Sequence, residues 1–185
     1  VDPMTWLRRF LADETGTASI ELLYVLVPTM LLFMGSFESS LFMIRHVMLE
    51  RSVDIVVRDI RLGNLDGLTH AELKELICDT SALVHSVDTC VESMWIWMQP
   101  IDTANFDMLA PPHACVDRSE EFNPLLVPTG DEFAFGADNE IMLMRICLKE
   151  EPMFPTSALG ASMIRDETDG SYALIATTVF VNEPG

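Results

Sequence analysis

An apolar segment near the N-terminus constrains the fold of this chain more than any other feature. Residues 22–35 are apolar apart from Thr29, and apolar residues resume at 41–44 after a more polar interval. As an α-helix, residues 20–44 would extend ~37 Å, longer than the ~30 Å hydrocarbon core of a bilayer. Because the segment also has no polar face, it predicts a transmembrane helix.

Two other structures produce a similar pattern. A secretory signal peptide ends in a small-residue cleavage site, whereas this segment follows Asp13 and Glu14 and runs on into further helical sequence. A buried core helix of a soluble domain is the remaining alternative. Pro28 lies in the middle of the segment and removes one backbone hydrogen bond, so we expect a kink there.

The helical pattern continues beyond the apolar segment. Apolar residues recur at spacings of three and four, with charged residues on the opposite side; they are Leu49, Val53, Val56, Val57 and Ile60. Gly63 and Asn64 then provide a stop signal. The sequence predicts one helix over about 17–62, ~70 Å long, whose second half packs on a folded domain.

The chain beyond residue 62 is strongly acidic. The whole sequence has 11 basic and 29 acidic residues and a formal charge of −18. Such a chain repels nucleic acid, which is therefore not an expected partner. Hydrophobic residues make up 49% of the chain, so the acidity does not indicate disorder. We expect a folded, anionic head.

Local patterns in the head predict one helix and three strands. Thr69 and Glu72 form a capping box at the start of a helix over 68–78. Alternating or β-rich runs predict strands within 92–100, 139–152 and 170–184. Because the apolar stripe of the long helix needs a partner, we expect an α+β fold in which that helix packs on an antiparallel sheet of three or more strands.

Four cysteines lie in the head, namely Cys78, Cys90, Cys115 and Cys147. Their even number indicates two disulfides and an oxidising compartment. A zinc site is the alternative, but the cysteines lack the close spacing that such sites usually show. Cys78 ends the short helix and Cys90 opens the first predicted strand, so we predict the pairs Cys78–Cys90 and Cys115–Cys147. The two other pairings remain open.

No catalytic motif is present. The histidines are scattered, and the sequence contains no G-x-S-x-G, H-E-x-x-H or phosphate-binding loop. The stretch "RDETDG" at 165–170 is similar to part of a calcium loop but lacks its third ligand and its distal glutamate, which favours a turn. We expect no enzymatic activity, cofactor, metal or small-molecule substrate.

The N-terminal third carries a recognisable pattern. A short basic leader ends at Gly16, and Ala18, Glu21 and Pro28 follow at fixed spacings. This pattern, with "MLERSVDIVVRDIR" at 48–61 and "ATTVFVNEP" at 176–184, resembles the TadE-like minor pseudopilins of tight-adherence (Flp-type) pili, which have a type IV pilin-like N-terminus.

The resemblance implies a processing site and a topology. A membrane-embedded prepilin peptidase is expected to cut between Gly16 and Thr17 on the cytoplasmic side, removing a leader at 1–16. The implied organisation is a transmembrane half-helix at 17–44, its periplasmic half at 45–62 and the acidic head at 63–185. Basic residues flank the apolar segment on both sides and do not decide its orientation. Disulfides in the head favour an inner-membrane protein with a cytoplasmic N-terminus and a periplasmic head.

Glu21 is a carboxylate inside an apolar helix, where an ionised group is costly. The resemblance implies that it neutralises the free amino group of Thr17 on a neighbouring pilin or pseudopilin subunit and so sets the register of assembly. The alternative is a side chain that only extends to the membrane interface. A single-pass anchored, extracytoplasmic binding protein that does not polymerise is the second function that this sequence allows.

Overall fold

The computed structural model describes Thr5, Arg8, Arg9, Ala12, Gly160 and residues 17–65, 67–81, 86–104, 115–116, 133–155 and 166–183. The elements in these residues are, in chain order, α1 (Thr17–Arg61), α2 (His70–Thr80), α3 (Val87–Ser93), β1 (Met94–Pro100), β2 (Ile141–Glu150) and β3 (Tyr172–Val181). The fold is α+β, with a long apolar N-terminal helix followed by a three-stranded antiparallel sheet.

The first helix, α1, is 45 residues long, which confirms the helix predicted over 17–62. It ends where Gly63 adopts a left-handed conformation with φ 68°. There the amide of Gly63 donates to the carbonyl of Ile60 and that of Asn64 to the carbonyl of Asp59, which satisfies the carbonyls of the last turn. The helix is unbroken through Pro28; the kink expected at this residue stays a prediction.

The sheet has the order β1-β2-β3, with β2 in the centre and both pairings antiparallel. Ile146 of β2 lies opposite Ile96 of β1 on one side and Ala176 of β3 on the other. These three residues are all buried. Apolar side chains therefore form continuous rows across the face of the sheet that packs on α1.

The core lies between this face and the second half of α1. The predicted stripe of α1, from Leu49 to Ile60, is buried at all five positions. It belongs to one cluster with the apolar residues of the sheet face, among them Met94, Met98, Met142, Met144, Leu174 and Phe180. This packing accounts for the periodicity of the stripe, because residues at spacings of three and four share one helix face.

A capping box starts α2, as the sequence predicts. The Thr69 side chain accepts a hydrogen bond from the amide of Glu72, and the Glu72 carboxylate accepts one from the amide of Thr69 at 2.8 Å. These two bonds satisfy amides that have no partner within the helix. The hydrogen bonds from Thr69 also lower the pKa of the Glu72 carboxyl.

The segment before β1 differs from the prediction. Residues 87–93 form the short helix α3. Its N-cap is Ser86, whose hydroxyl accepts from the amide of Thr89 at 3.2 Å. The strand therefore begins at Met94, and Cys90 lies in α3. The expectation that Cys90 opens the first strand is wrong, because a serine cap starts a helix in its place.

The structure contains two disulfides, and they join the pairs that were predicted. Cys78 in α2 is bonded to Cys90 in α3, with their Cα atoms 5.9 Å apart. Cys115 is bonded to Cys147 in β2, with their Cα atoms 5.8 Å apart. The first disulfide joins the two short helices, and the second attaches the segment around Cys115 to the central strand.

Candidate functional site

The first half of α1 exposes apolar side chains on every side. Every residue from Ser19 to Phe33 is exposed, and Tyr24 and Leu32 retain 78% and 76% of their accessible surface. By its length and composition, α1 can cross a membrane. A core helix of a soluble domain is buried by its own chain, whereas no described residue covers this half of α1.

Glu21 lies on this exposed half of α1, one turn after Thr17, the first residue of the helix. No hydrogen bond or ion pair joins its carboxylate to the described residues. Gly16, on the other side of the expected cut, lies outside the described residues, so cleavage between Gly16 and Thr17 stays a prediction.

A second carboxylate of the apolar segment, Glu38, is buried at the point where α1 meets the head. It was not among the residues predicted from the sequence. Its side chain is 1% exposed and accepts hydrogen bonds from the backbone amides of Met153 at 3.2 Å and Phe154 at 2.8 Å. The ring of Phe37 packs edge-on against that of Phe154, with centroids 6.1 Å apart. The signal for Glu38 in the sequence is an acidic residue within an apolar segment, which is also the signal for Glu21.

Arg45 provides the second polar contact between α1 and the head, two turns beyond Glu38. Its guanidinium donates to the Tyr172 hydroxyl at 2.6 Å and to the Glu151 carbonyl at 3.2 Å, and it lies 3.5 Å from the Glu150 carboxylate. Burial raises the pKa of Tyr172, and the hydrogen bond from Arg45 opposes that rise. We call Glu38, Arg45, Glu150, Tyr172 and the loop 151–155 the helix–head junction.

Within the helix–head junction, Glu38 lies in the part of α1 that hydropathy assigns to the membrane. Met34 is the first residue after Phe33 that is no longer exposed, contacts with the head begin at Phe37, and Glu38 is fully enclosed. The expected boundary between the transmembrane and periplasmic halves is residue 44. The part of α1 that no described residue covers is therefore shorter than hydropathy alone indicates.

At its other end, α1 is held by the segment that follows β3. The Arg61 guanidinium lies 2.9 Å from the Glu183 carboxylate, and the Glu183 amide donates to the Arg61 carbonyl at 3.3 Å. The segments 48–61 and 176–184 carry much of the family resemblance, and the described part of each packs against the other.

The described residues of "RDETDG", 166–170, form a turn before β3. In its described residues, the buried carboxylate of Asp166 accepts from the Lys149 ammonium and from the Thr168 amide, and Asp169 accepts from the Ser171 amide. Burial disfavours ionisation of Asp169, but the hydrogen bonds from Ser171 and the charge of Lys149 outweigh it and lower the pKa of Asp169. The Lys149 ammonium therefore pairs with the carboxylates of both Asp166 and Asp169.

The polar groups of the helix–head junction and of the turn at 166–170 are bonded to one another within the protein, and they stabilise the fold. The exposed apolar half of α1, with Glu21 near its start, is the feature of the described structure that most needs a partner. Comparison of the chain with protein-family models, with curated proteins and with solved structures gives no match.

Proposed function

We propose that this protein is a minor pilin (pseudopilin) subunit of a Tad/Flp-type pilus that acts in pilus assembly and surface adherence and has no enzymatic activity. The observation that carries the proposal is the exposed apolar half of α1 with a carboxylate, Glu21, one turn from its start that has no partner among the described residues. A helix that is apolar on all sides requires lipid or other apolar helices around it. The resemblance at Gly16, Ala18, Glu21 and Pro28 adds the pilin-like processing site.

The proposed topology places the leader in the cytoplasm and the head in the periplasm. A prepilin peptidase removes residues 1–16, and Thr17 becomes the first residue of an inner-membrane subunit. The disulfides Cys78–Cys90 and Cys115–Cys147 support this orientation, because such bonds persist in oxidising compartments. The membrane-bound subunit is then available to enter a surface pilus.

Assembly uses the same helix that anchors the subunit. Side chains of 20–33 pack against neighbouring pilin helices, which replaces lipid contacts by helix contacts. The carboxylate of Glu21 accepts a hydrogen bond from the amino group of Thr17 on the next subunit. Because both charges lie at low dielectric, leaving either one unpaired is costly, and this cost fixes the axial register between subunits.

Replacing Glu21 by alanine tests this role. We expect cleavage and membrane insertion to persist, because loss of a charge makes the helix more soluble in lipid. Association with the other pilus subunits should fall by about tenfold or more, because the partner amino group stays unpaired. The measurement is crosslinking in membranes followed by quantitative co-purification of the pilus subunits.

The matched control is Glu50→Ala, which removes an exposed carboxylate from the second half of the same helix. It should leave co-purification unchanged. Normal co-purification of Glu21→Ala would mean that the carboxylate only extends to the membrane interface. A single-pass anchored binding protein that does not polymerise would require neither the contact at Glu21 nor the cut after Gly16.

A further inference from the structure

The uncovered part of α1 is too short to cross a bilayer by itself. From Thr17 to Phe33 the helix rises ~25 Å at 1.5 Å per residue, against a hydrocarbon thickness of ~30 Å. Tilting the helix would increase the length that is needed. The hydrocarbon region must therefore extend to the part of α1 between Met34 and Glu38, where the head already covers one side of the helix.

The side of α1 that faces away from Glu38 carries the exposed serines Ser36 and Ser40, whose hydroxyls donate to carbonyls of the same helix. The other exposed residues are apolar: Phe37, which also packs on Phe154, is 41% exposed, and Met43, Ile44 and Val47 are 49–60% exposed. Between Met34 and Val47 the acidic or basic side chains are Glu38, Arg45 and His46. Glu38 and Arg45 are bonded to the head, and His46 lies 3.5 Å from the Glu50 carboxylate of the same helix. The exposed side of α1 is thus mainly apolar, and the charges of Glu38 and Arg45 are bonded to the head. Such a helix is compatible with partial immersion in lipid.

The loop that encloses Glu38 is itself apolar. Residues 152–155 read Pro-Met-Phe-Pro, Met153 is 57% exposed, and Pro152 and Phe154 are partly exposed. Four consecutive apolar residues at the surface of an otherwise anionic head are unusual for a water-facing loop. Aromatic and apolar side chains of this kind are typical of segments that enter a membrane interface.

We propose that the loop 152–155 inserts into the acyl-chain boundary of the outer leaflet, beside α1, and shields Glu38 from lipid. Its backbone amides provide the hydrogen bonds that a carboxylate at this depth cannot obtain from water. Its Met153 and Phe154 side chains face the lipid that would otherwise contact Glu38. The head thus docks on the membrane surface with a fixed depth. The proposal rests on the membrane-spanning role of α1 in the proposed function.

The test is methyl NMR of the full chain, with ¹³C-methyl methionine, in nanodiscs of phosphatidylcholine and phosphatidylglycerol. A nitroxide-labelled lipid broadens methyl groups within the bilayer, and a water-soluble gadolinium chelate broadens those in water. The Met153 signal is assigned by its loss in Met153→Leu. Met30, which is 46% exposed in the first half of α1, reports the membrane span, and Met98, which is fully buried in the head, is the negative control.

We expect the labelled lipid to remove most of the intensity of both Met153 and Met30, while the gadolinium chelate affects neither. Broadening of Met153 by the chelate, with Met30 still broadened by the lipid, would overturn the loop insertion and leave the membrane span standing. Protection of Met153 from both probes would also overturn it, because protein and not lipid would then cover the loop. A Met30 signal unaffected by the lipid would overturn the membrane span as well.

Discussion

Replacing Glu38 by leucine should destabilise the head by about 3 kcal/mol, because two buried amides lose a charged acceptor. The amides of Met153 and Phe154 donate to this carboxylate, and its side chain is 1% exposed. Leucine has a similar size, so the loss reports the missing hydrogen bonds and not a cavity. The free energy of unfolding is measured by denaturant titration of the protein in detergent micelles, with tryptophan fluorescence as the signal.

Glu50→Leu is the matched control for this change, because it makes the same substitution at an exposed position of the same helix. Its effect should stay within about 0.5 kcal/mol. Hydrogen exchange adds a local measurement: the amides of the loop 151–155 should exchange faster in Glu38→Leu and at the wild-type rate in Glu50→Leu. Equal stability and equal exchange in the two variants would show that the Glu38 carboxylate does not hold the head to α1.

Removing the Cys78–Cys90 disulfide should lower the free energy of unfolding by about 3 kcal/mol. The disulfide closes a short loop and so reduces the conformational entropy of the unfolded chain. The two cysteines are 12 residues apart in sequence, and both are buried. The variant is the double substitution Cys78→Ala with Cys90→Ala, since a single substitution would leave a thiol able to pair with Cys115 or Cys147. Denaturant titration again gives the free energy of unfolding.

The fully reduced wild-type protein provides the comparison for the double variant. It loses both disulfides and should therefore unfold at a lower denaturant concentration than the double variant, which keeps Cys115–Cys147. Peptide mapping without reduction identifies the bonds directly. A peptide that joins Cys90 to Cys147 would contradict the pairing, and a reduced protein as stable as the oxidised one would contradict a stabilising role for the disulfides.

Local patterns in the sequence were sufficient to predict the main elements of the fold. The apolar stripe from Leu49 to Ile60 repeats with the period of a helix, and the capping box at Thr69 depends on residues three apart. The three strands are β-rich runs, each with one face buried in the core. Each of these signals is contained in a short stretch of chain, so no knowledge of tertiary contacts was needed.

The helix–head junction depends on contacts that no local pattern contains. Glu38 is bonded to amides more than a hundred residues away, in a loop whose sequence has no marker for this role. Arg45 likewise reaches Tyr172 at the start of β3. The short helix α3 was missed because a seven-residue helix has too few turns to show a clear period. Glu21 was identified from the sequence because it is a charged residue next to a long apolar segment.

The proposed function as a pilin-like subunit requires a mature chain that begins at Thr17, the start of α1. The most direct test is the N-terminus of the protein isolated from membranes, determined by N-terminal sequencing and intact mass. We predict that the mature chain begins at Thr17 and that Gly16→Leu stays uncut, because the peptidase must approach the backbone closely at the cut. A membrane-bound wild-type chain that keeps Arg8 and Arg9, or that begins at another residue, would contradict the claim.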